Sequence, residues 1–216
     1  MIALLLLLAA PADAGPGWRQ VVTSDDRRRL RRWRDAWDEA LAAARAGGGA
    51  AAIAADPVLF DPDAARTFVM PPPGSYRCRT VKLGSRGAGL SYVAYPFFTC
   101  RVGADGRFTK VDGSQRPVGR IHRVDGTRAV FLGTLALGDE RRALPYGRDR
   151  LRDLAARVER IGSRRWRLVF PYPHYESLLD LIELVPDAAS VGTTGGGTTA
   201  GTGATAARGS EGSEAR

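Results

Sequence analysis

His174 and Glu176 stand two residues apart in Pro171-Tyr172-Pro173-His174-Tyr175-Glu176, a segment stiffened by two prolines. An imidazole and a carboxylate at that spacing can share acid and base work, with Ser177 or Ser114 as the nucleophile of a hydrolase. Neither serine lies in the Gly-x-Ser-x-Gly turn that exposes a nucleophile. The same loop therefore also reads as a rim that organises its tyrosines. Gly113-Ser114-Gln115-Arg116 offers a hydroxyl, an amide and a guanidinium in one turn, a set that suits an anion or a carboxylate. An ordinary hairpin turn with a salt-bridged arginine uses the same residues. His122, the other histidine, alternates with Arg120 and Val124 as a surface or half-buried imidazole on a strand would.

Cys78 and Cys100 are the only cysteines. A redox pair is usually spaced Cys-x-x-Cys, and zinc wants further cysteines or clustered histidines. A structural disulfide is the simplest reading, worth about 3 kcal/mol in the chain-entropy model. No phosphate loop, internal repeat or carboxylate cluster at metal spacing accompanies these residues, and no metal or cofactor is implied.

The elements that must position them begin at Pro71-Pro72-Pro73-Gly74, which stops whatever precedes it because proline lacks a donor and disfavours helix before it. Residues 75–83 alternate like a strand, and 92–102 answer them with an apolar, aromatic arm. Both cysteines thus fall on neighbouring strands. Turns follow at 103–106 and 112–114, and Asp125-Gly126 reads as a tight hairpin turn between strands at 118–124 and 127–137. In 164–170, Trp166, Leu168 and Phe170 point one way and Arg165, Arg167 and Val169 the other, a half-buried strand. The last strand spans 178–185. Residues 150–161 fit either a helical stripe (Leu151, Leu154, Ala155, Val158, Ile161) or the first arm of a hairpin, and the hairpin is preferred for the C-terminal half.

Upstream, residues 18–46 contain the clearest helix. Thr23 or Ser24 caps it, Asp25 and Asp26 sit in its first turn, and Leu30, Trp33, Trp37, Leu41 and Ala44 make one apolar stripe. The tryptophans suit a ligand platform or, more simply, a stripe packed on the rest of the chain. Gly47-Gly48-Gly49 ends the helix, and 50–55 adds a further turn.

The 216 residues carry a formal charge of +9, and lysine occurs only at Lys82 and Lys110. The arginines are spread along the chain and mixed with acids, whereas a nucleic-acid binder gathers them on one face with aromatics for stacking. No specific nucleic acid is expected as a partner. Ile2 to Ala10 is an unbroken apolar run followed by Ala12-Asp13-Ala14, the small residues a signal peptidase reads. That run is too short for a membrane span. The expectation is a leader at 1–14 cut after Ala14 and a periplasmic or secreted chain; an N-terminal anchor is the other reading. Past Pro186 the composition falls to Gly, Thr, Ala and Ser with little to bury, so 187–216 is expected to be disordered.

Several stretches carry a resemblance. Trp18-Arg19, Arg31-Arg32-Trp33-Arg34, Gly74-Ser75-Tyr76-Arg77-Cys78 and Gly113 to Gly119 are among them, as are Val130-Phe131-Leu132-Gly133-Thr134, Tyr146-Gly147-Arg148-Asp149, Arg165-Trp166-Arg167-Leu168-Val169 and Glu176-Ser177-Leu178-Leu179-Asp180. On these the chain resembles an uncharacterised family of exported bacterial proteins, catalogued only as a domain of unknown function. The resemblance implies export and one domain from residue 18 to about 186, with no activity or catalytic residues to carry over.

The expected fold is α+β: a helical segment at 18–66, led by an amphipathic helix, packed on an antiparallel, lipocalin-like small β-barrel at 74–186. The expected function is a non-catalytic binding module for a small ligand or an envelope protein. Its ligand-facing residues would be Ser114, Gln115, Arg116, Tyr146, Arg148, Tyr172, His174 and Glu176. The alternatives are a hydrolase using His174 and Glu176, or a purely structural envelope protein whose barrel is filled by its own side chains.

Overall fold

The computed structural model describes residues 17–138 and 140–187. The leader expected at 1–14 and the tail expected beyond Asp187 lie outside the described residues. Nine strands follow in chain order: β1 (Gly74–Leu83), β2 (Tyr92–Ala94), β3 (Phe98–Val102), β4 (Arg107–Lys110), β5 (Gln115–Arg123), β6 (Ala129–Leu137), β7 (Asp153–Gly162), β8 (Arg165–Pro171) and β9 (Leu179–Pro186). From β3 onward each pairs antiparallel with the next, and β9 returns to β1 from Tyr76 opposite Pro186 to Leu83 opposite Leu179. Eight strands therefore close an up-and-down antiparallel barrel. The short β2 pairs with the far end of β1, as β3 does with its near end; Pro96, which has no donor for the ladder, lies between them.

The inward positions fill the barrel. Phe108, Phe131 and Phe170 meet edge to face, with ring centroids 5.6 and 5.8 Å apart. Tyr76 meets Trp166 at 6.1 Å, and its hydroxyl donates to the Pro72 carbonyl at 2.6 Å, so burial pushes the phenol up to about 12. The Cys78–Cys100 disulfide joins β1 to β3 inside this core. Gly119 and Gly133 face each other across β5 and β6, where a Cβ on either would strike the opposite backbone and the Phe131 ring. The glycine pair makes the room that ring occupies.

A short α1 (Trp18–Val21) precedes the helix expected within 18–46, which starts after its Thr23 cap and divides at Arg32 into α2 (Ser24–Arg31) and α3 (Trp33–Ala44). Thr23 caps α2 by accepting from the Asp26 amide. The glycines do not end the helix. They kink it at Arg45–Gly49 into α4 (Ala50–Ala55), and a Cβ at Gly49 would collide with the Tyr92 side chain of β2. The apolar stripe is buried against the barrel, with Trp37 wholly enclosed.

The helical layer covers only part of the outer wall. The α3–α4 face packs on outward residues of β1, β7, β8 and β9 (Val81, Leu83, Ile161, Val169, Leu179, Leu181), and Val22 and Leu30 pack on Val130, Leu132 and Ala155 of β6 and β7. Those strands are buried on both faces, which decides one open reading for the hairpin and corrects a second, while the turn between β5 and β6 corrects a third. Residues 153–162 form strand alone, their apparent helical stripe arising because inward Leu154 and Val158 and outward Ala155 and Ile161 are all apolar. The outward side of β8 is not solvated, because Arg167 and Val169 are both 0 % exposed beneath the helices. Asp125-Gly126 is no two-residue turn: β5 and β6 begin pairing at Arg123 opposite Ala129, and the Asp125 carboxylate ties the wider loop by accepting from the Thr127 and Arg128 amides.

Arg167 is held by Glu159 of β7 at 2.7 and 2.9 Å, by the Leu59 carbonyl at 2.8 Å, and under the Trp37 ring at 4.7 Å. Truncating one partner of such a buried pair strands the other charge. Glu159→Leu is therefore expected to cost about 3–5 kcal/mol in urea denaturation, and the double change Glu159→Leu with Arg167→Met much less than twice that.

Candidate functional site

All four loops at one end of the barrel, 84–91, 111–114, 138–152 and 172–178, converge on one mouth. Inward alternation on β1 carries Tyr76, Cys78, Thr80 and Lys82 down one line, so Lys82 points into the barrel beneath these loops. Its ammonium lies 2.9 Å from Glu176 and 3.4 Å from Asp180. Asp180 also accepts from the Ser177 hydroxyl, and Gln115 Nε2 donates to Glu176 at 3.5 Å. Burial works against the Lys82 charge, but Asp180 and Glu176 overcome it and hold the ammonium above its ordinary value. Burial raises the Asp180 carboxyl, and Lys82 and Ser177 offset only part of that. One cation thus serves two carboxylates.

The loop bearing Glu176 is strapped down. Arg86 donates its amide to the Glu176 carbonyl at 2.9 Å and Nε to the Ser177 carbonyl at 3.2 Å. Tyr172 and Glu176 take left-handed φ angles of 47° and 65°, which side chains other than glycine adopt at a cost. Beneath the strap is a cavity of about 40 Å³, lined among others by Lys82, Gln115, His174 and Asp180 and rimmed by Leu151 and Tyr175. Drug-sized ligands occupy on the order of 300–1,000 Å³. The cavity is far smaller than the pockets such ligands use.

The residues singled out from sequence do not form one site. Gln115, His174 and Glu176 meet at the mouth, with Ser114 exposed on the adjoining turn. His174 and Glu176 do not pair, since Lys82 and Gln115 engage the carboxylate while His174 Nε2 is buried without a hydrogen-bond partner. Ser177 is buried and gives its hydroxyl to Asp180 rather than to a histidine. Arg116 is occupied by backbone, donating to the carbonyls of Gly113, Gly138 and Glu140.

Tyr146 and Tyr172 face the helical layer. The Tyr146 hydroxyl donates to Asp26 at 2.6 Å and accepts from the Thr23 amide at 3.1 Å, tying the 138–152 loop to the α2 cap; burial and Asp26 push its phenol up. Tyr172 lies 4.8 Å under the Arg32 guanidinium. Arg148 is exposed on that loop. Cys78 and Cys100 form the disulfide described above.

What the reading missed is lysine. Both lysines of this arginine-rich chain are buried: Lys82 as described, and Lys110 at the end of β4. Lys110 Nζ donates to the Asp112 carbonyl at 2.6 Å over the Phe98 ring at 3.7 Å, and burial lowers its pKa. The signal was present, because Lys82 shares the alternation of Cys78 and Lys110 that of Phe108. Among the described residues no group of three or more histidines, cysteines or carboxylates is placed to hold a metal ion, and no helix is long and apolar enough to cross a membrane.

Burial, reinforced by Arg29, lowers the His174 pKa, and burial with Arg120 does the same for His122. Their folded values lie below the unfolded ones, so the folded chain resists protonation and stability falls as pH drops through the ordinary histidine range near 6.5. The melting temperature is expected to decline from pH 7.5 to pH 5, and a His122→Gln, His174→Gln double variant to show a flatter profile over that window.

With this geometry in hand, comparison with known families shows that a model described as a domain of unknown function (DUF4893) covers residues 18–184. No curated protein and no solved structure matches the chain.

Proposed function

We propose that this chain, which belongs to the DUF4893 family of unknown function, is an exported, non-catalytic binding module that meets a protein partner with its outer surface. The observation that carries the reading is the filled barrel. Phe108, Phe131 and Phe170 occupy the space a carrier would leave for its ligand, and the mouth adds only about 40 Å³. Catalysis is disfavoured by the same residues that suggested it, since His174, Glu176 and Ser177 are each engaged elsewhere or unpaired.

Two features support the partner. The mouth rim exposes Leu151 (58 %) and Tyr175 (41 %), apolar groups that a partner would cover. Export is supported by the apolar run at 2–10 with Ala12-Asp13-Ala14, and by a disulfide of the kind oxidising compartments maintain.

Titration with an environment-sensitive fluorescent fatty acid tests the reading. The native protein is expected to show no saturable binding. Phe131→Ala is expected to cost about 3–5 kcal/mol and, by emptying the core, to create binding. Saturable one-to-one binding by the native protein, with quenching of Trp166, would overturn the proposal.

A further inference from the structure

The helices cover the outer wall at β1 and at β6 to β9, and leave β3, β4 and β5 bare. An open depression of about 900 Å³ runs along that bare wall, up to the 138–152 loop at the mouth. Its sides are Arg101, Arg107, Arg116 and Arg141, and Val111 and Val118 supply apolar surface between them. Two carboxylates that border it among the described residues are already committed. Asp105 pairs with Arg120 at 3.0 Å, and Glu140 with Arg152 at 2.5 Å and with the Leu137 amide at 2.9 Å. Among the described residues Arg101 and Arg141 make no ion pair, and Arg107 reaches Asp105 only at 3.9 Å. Among the described residues the groove is therefore cationic, with more guanidinium groups than free carboxylates.

From this we infer that the groove receives an acidic segment of the partner polypeptide, one in which carboxylates alternate with apolar side chains; the inference rests on the binding-module reading above. Guanidinium forks match planar carboxylates in bidentate geometry. Strand alternation sets Arg101 beside Thr109 and Thr109 beside Val118, so charged and apolar surface succeed one another across the wall. Among the described residues no aromatic ring lines the depression, whereas single-stranded nucleic acid is held by stacking on such rings. A sulfated sugar or phosphate chain would leave Val111 and Val118 uncovered.

The test is fluorescence anisotropy of the full-length chain with a labelled peptide of four Glu-Val repeats at low salt. Saturable binding is expected, weakening as salt rises. Arg101→Ala with Arg141→Ala, both exposed positions, should weaken it about tenfold or more. Arg31→Ala with Arg45→Ala on the helical layer should leave it unchanged, with circular dichroism confirming that both variants fold. Absence of saturable binding overturns the inference, as does equal weakening by both arginine pairs. Heparin binding that is tighter and equally dependent on Arg101 and Arg141 also overturns it, by making the groove a general polyanion site. Each of these failures leaves the fatty-acid titration unaffected, so the groove and the binding-module reading fail separately.

Discussion

A guanidinium and a carboxylate, Arg167 and Glu159, lie wholly enclosed between the barrel wall and the helical layer. Ions withdrawn from water are tolerable only when every hydrogen-bonding position finds a partner. Here the partners come from three parts of the chain: β7 supplies Glu159, the 56–60 segment the Leu59 carbonyl, and α3 the Trp37 ring. An apolar pair of the same volume would be no less stable, but it would not penalise other seatings of the helices. Nearby, Asp56 joins Arg79 of β1 and Arg165 of β8, which also reach Glu183 of β9. The helical layer is thus held by one enclosed ion pair and, beside it, a partly exposed network of carboxylates and guanidiniums.

That seating decides what the barrel exposes. Covering β6 to β9 and β1 puts apolar residues on both faces of those strands and forces β3 to β5 to carry the solvated face alone. The interior takes the aromatic residues, and the mouth is left with a buried ammonium facing two carboxylates beneath an apolar rim. Among the described residues the barrel has its interior taken up by its own side chains. Its outer wall and its loops are the surfaces open to other molecules.

How far this could be read from sequence follows from the same division. The turns at 103–106 and 112–114 between strands with one wet face were legible, while the arm read at 92–102 is split at Pro96 into β2 and β3. Strands covered on both faces lose alternation, and for that reason 153–162 was compatible with helix and Arg167 was read as facing water. The helix at 18–46 was legible as an apolar stripe. Its breaks were not, because they depend on where Tyr92 of β2 and the Tyr146 loop press against it. The mouth was half legible: Gln115, His174 and Glu176 lie in loops that composition marks, while Lys82 and Asp180 meet only when β1 and β9 close the barrel.

The central claim is that this barrel is full. Native mass spectrometry of the chain purified from a bacterial periplasm, against the same sample denatured, tests it most directly. The account predicts one mass in both spectra, two hydrogens below the fully reduced value, with nothing else retained. An additional organic mass present only in the native spectrum, in one-to-one proportion, would contradict it and put a ligand where the phenylalanines now stand.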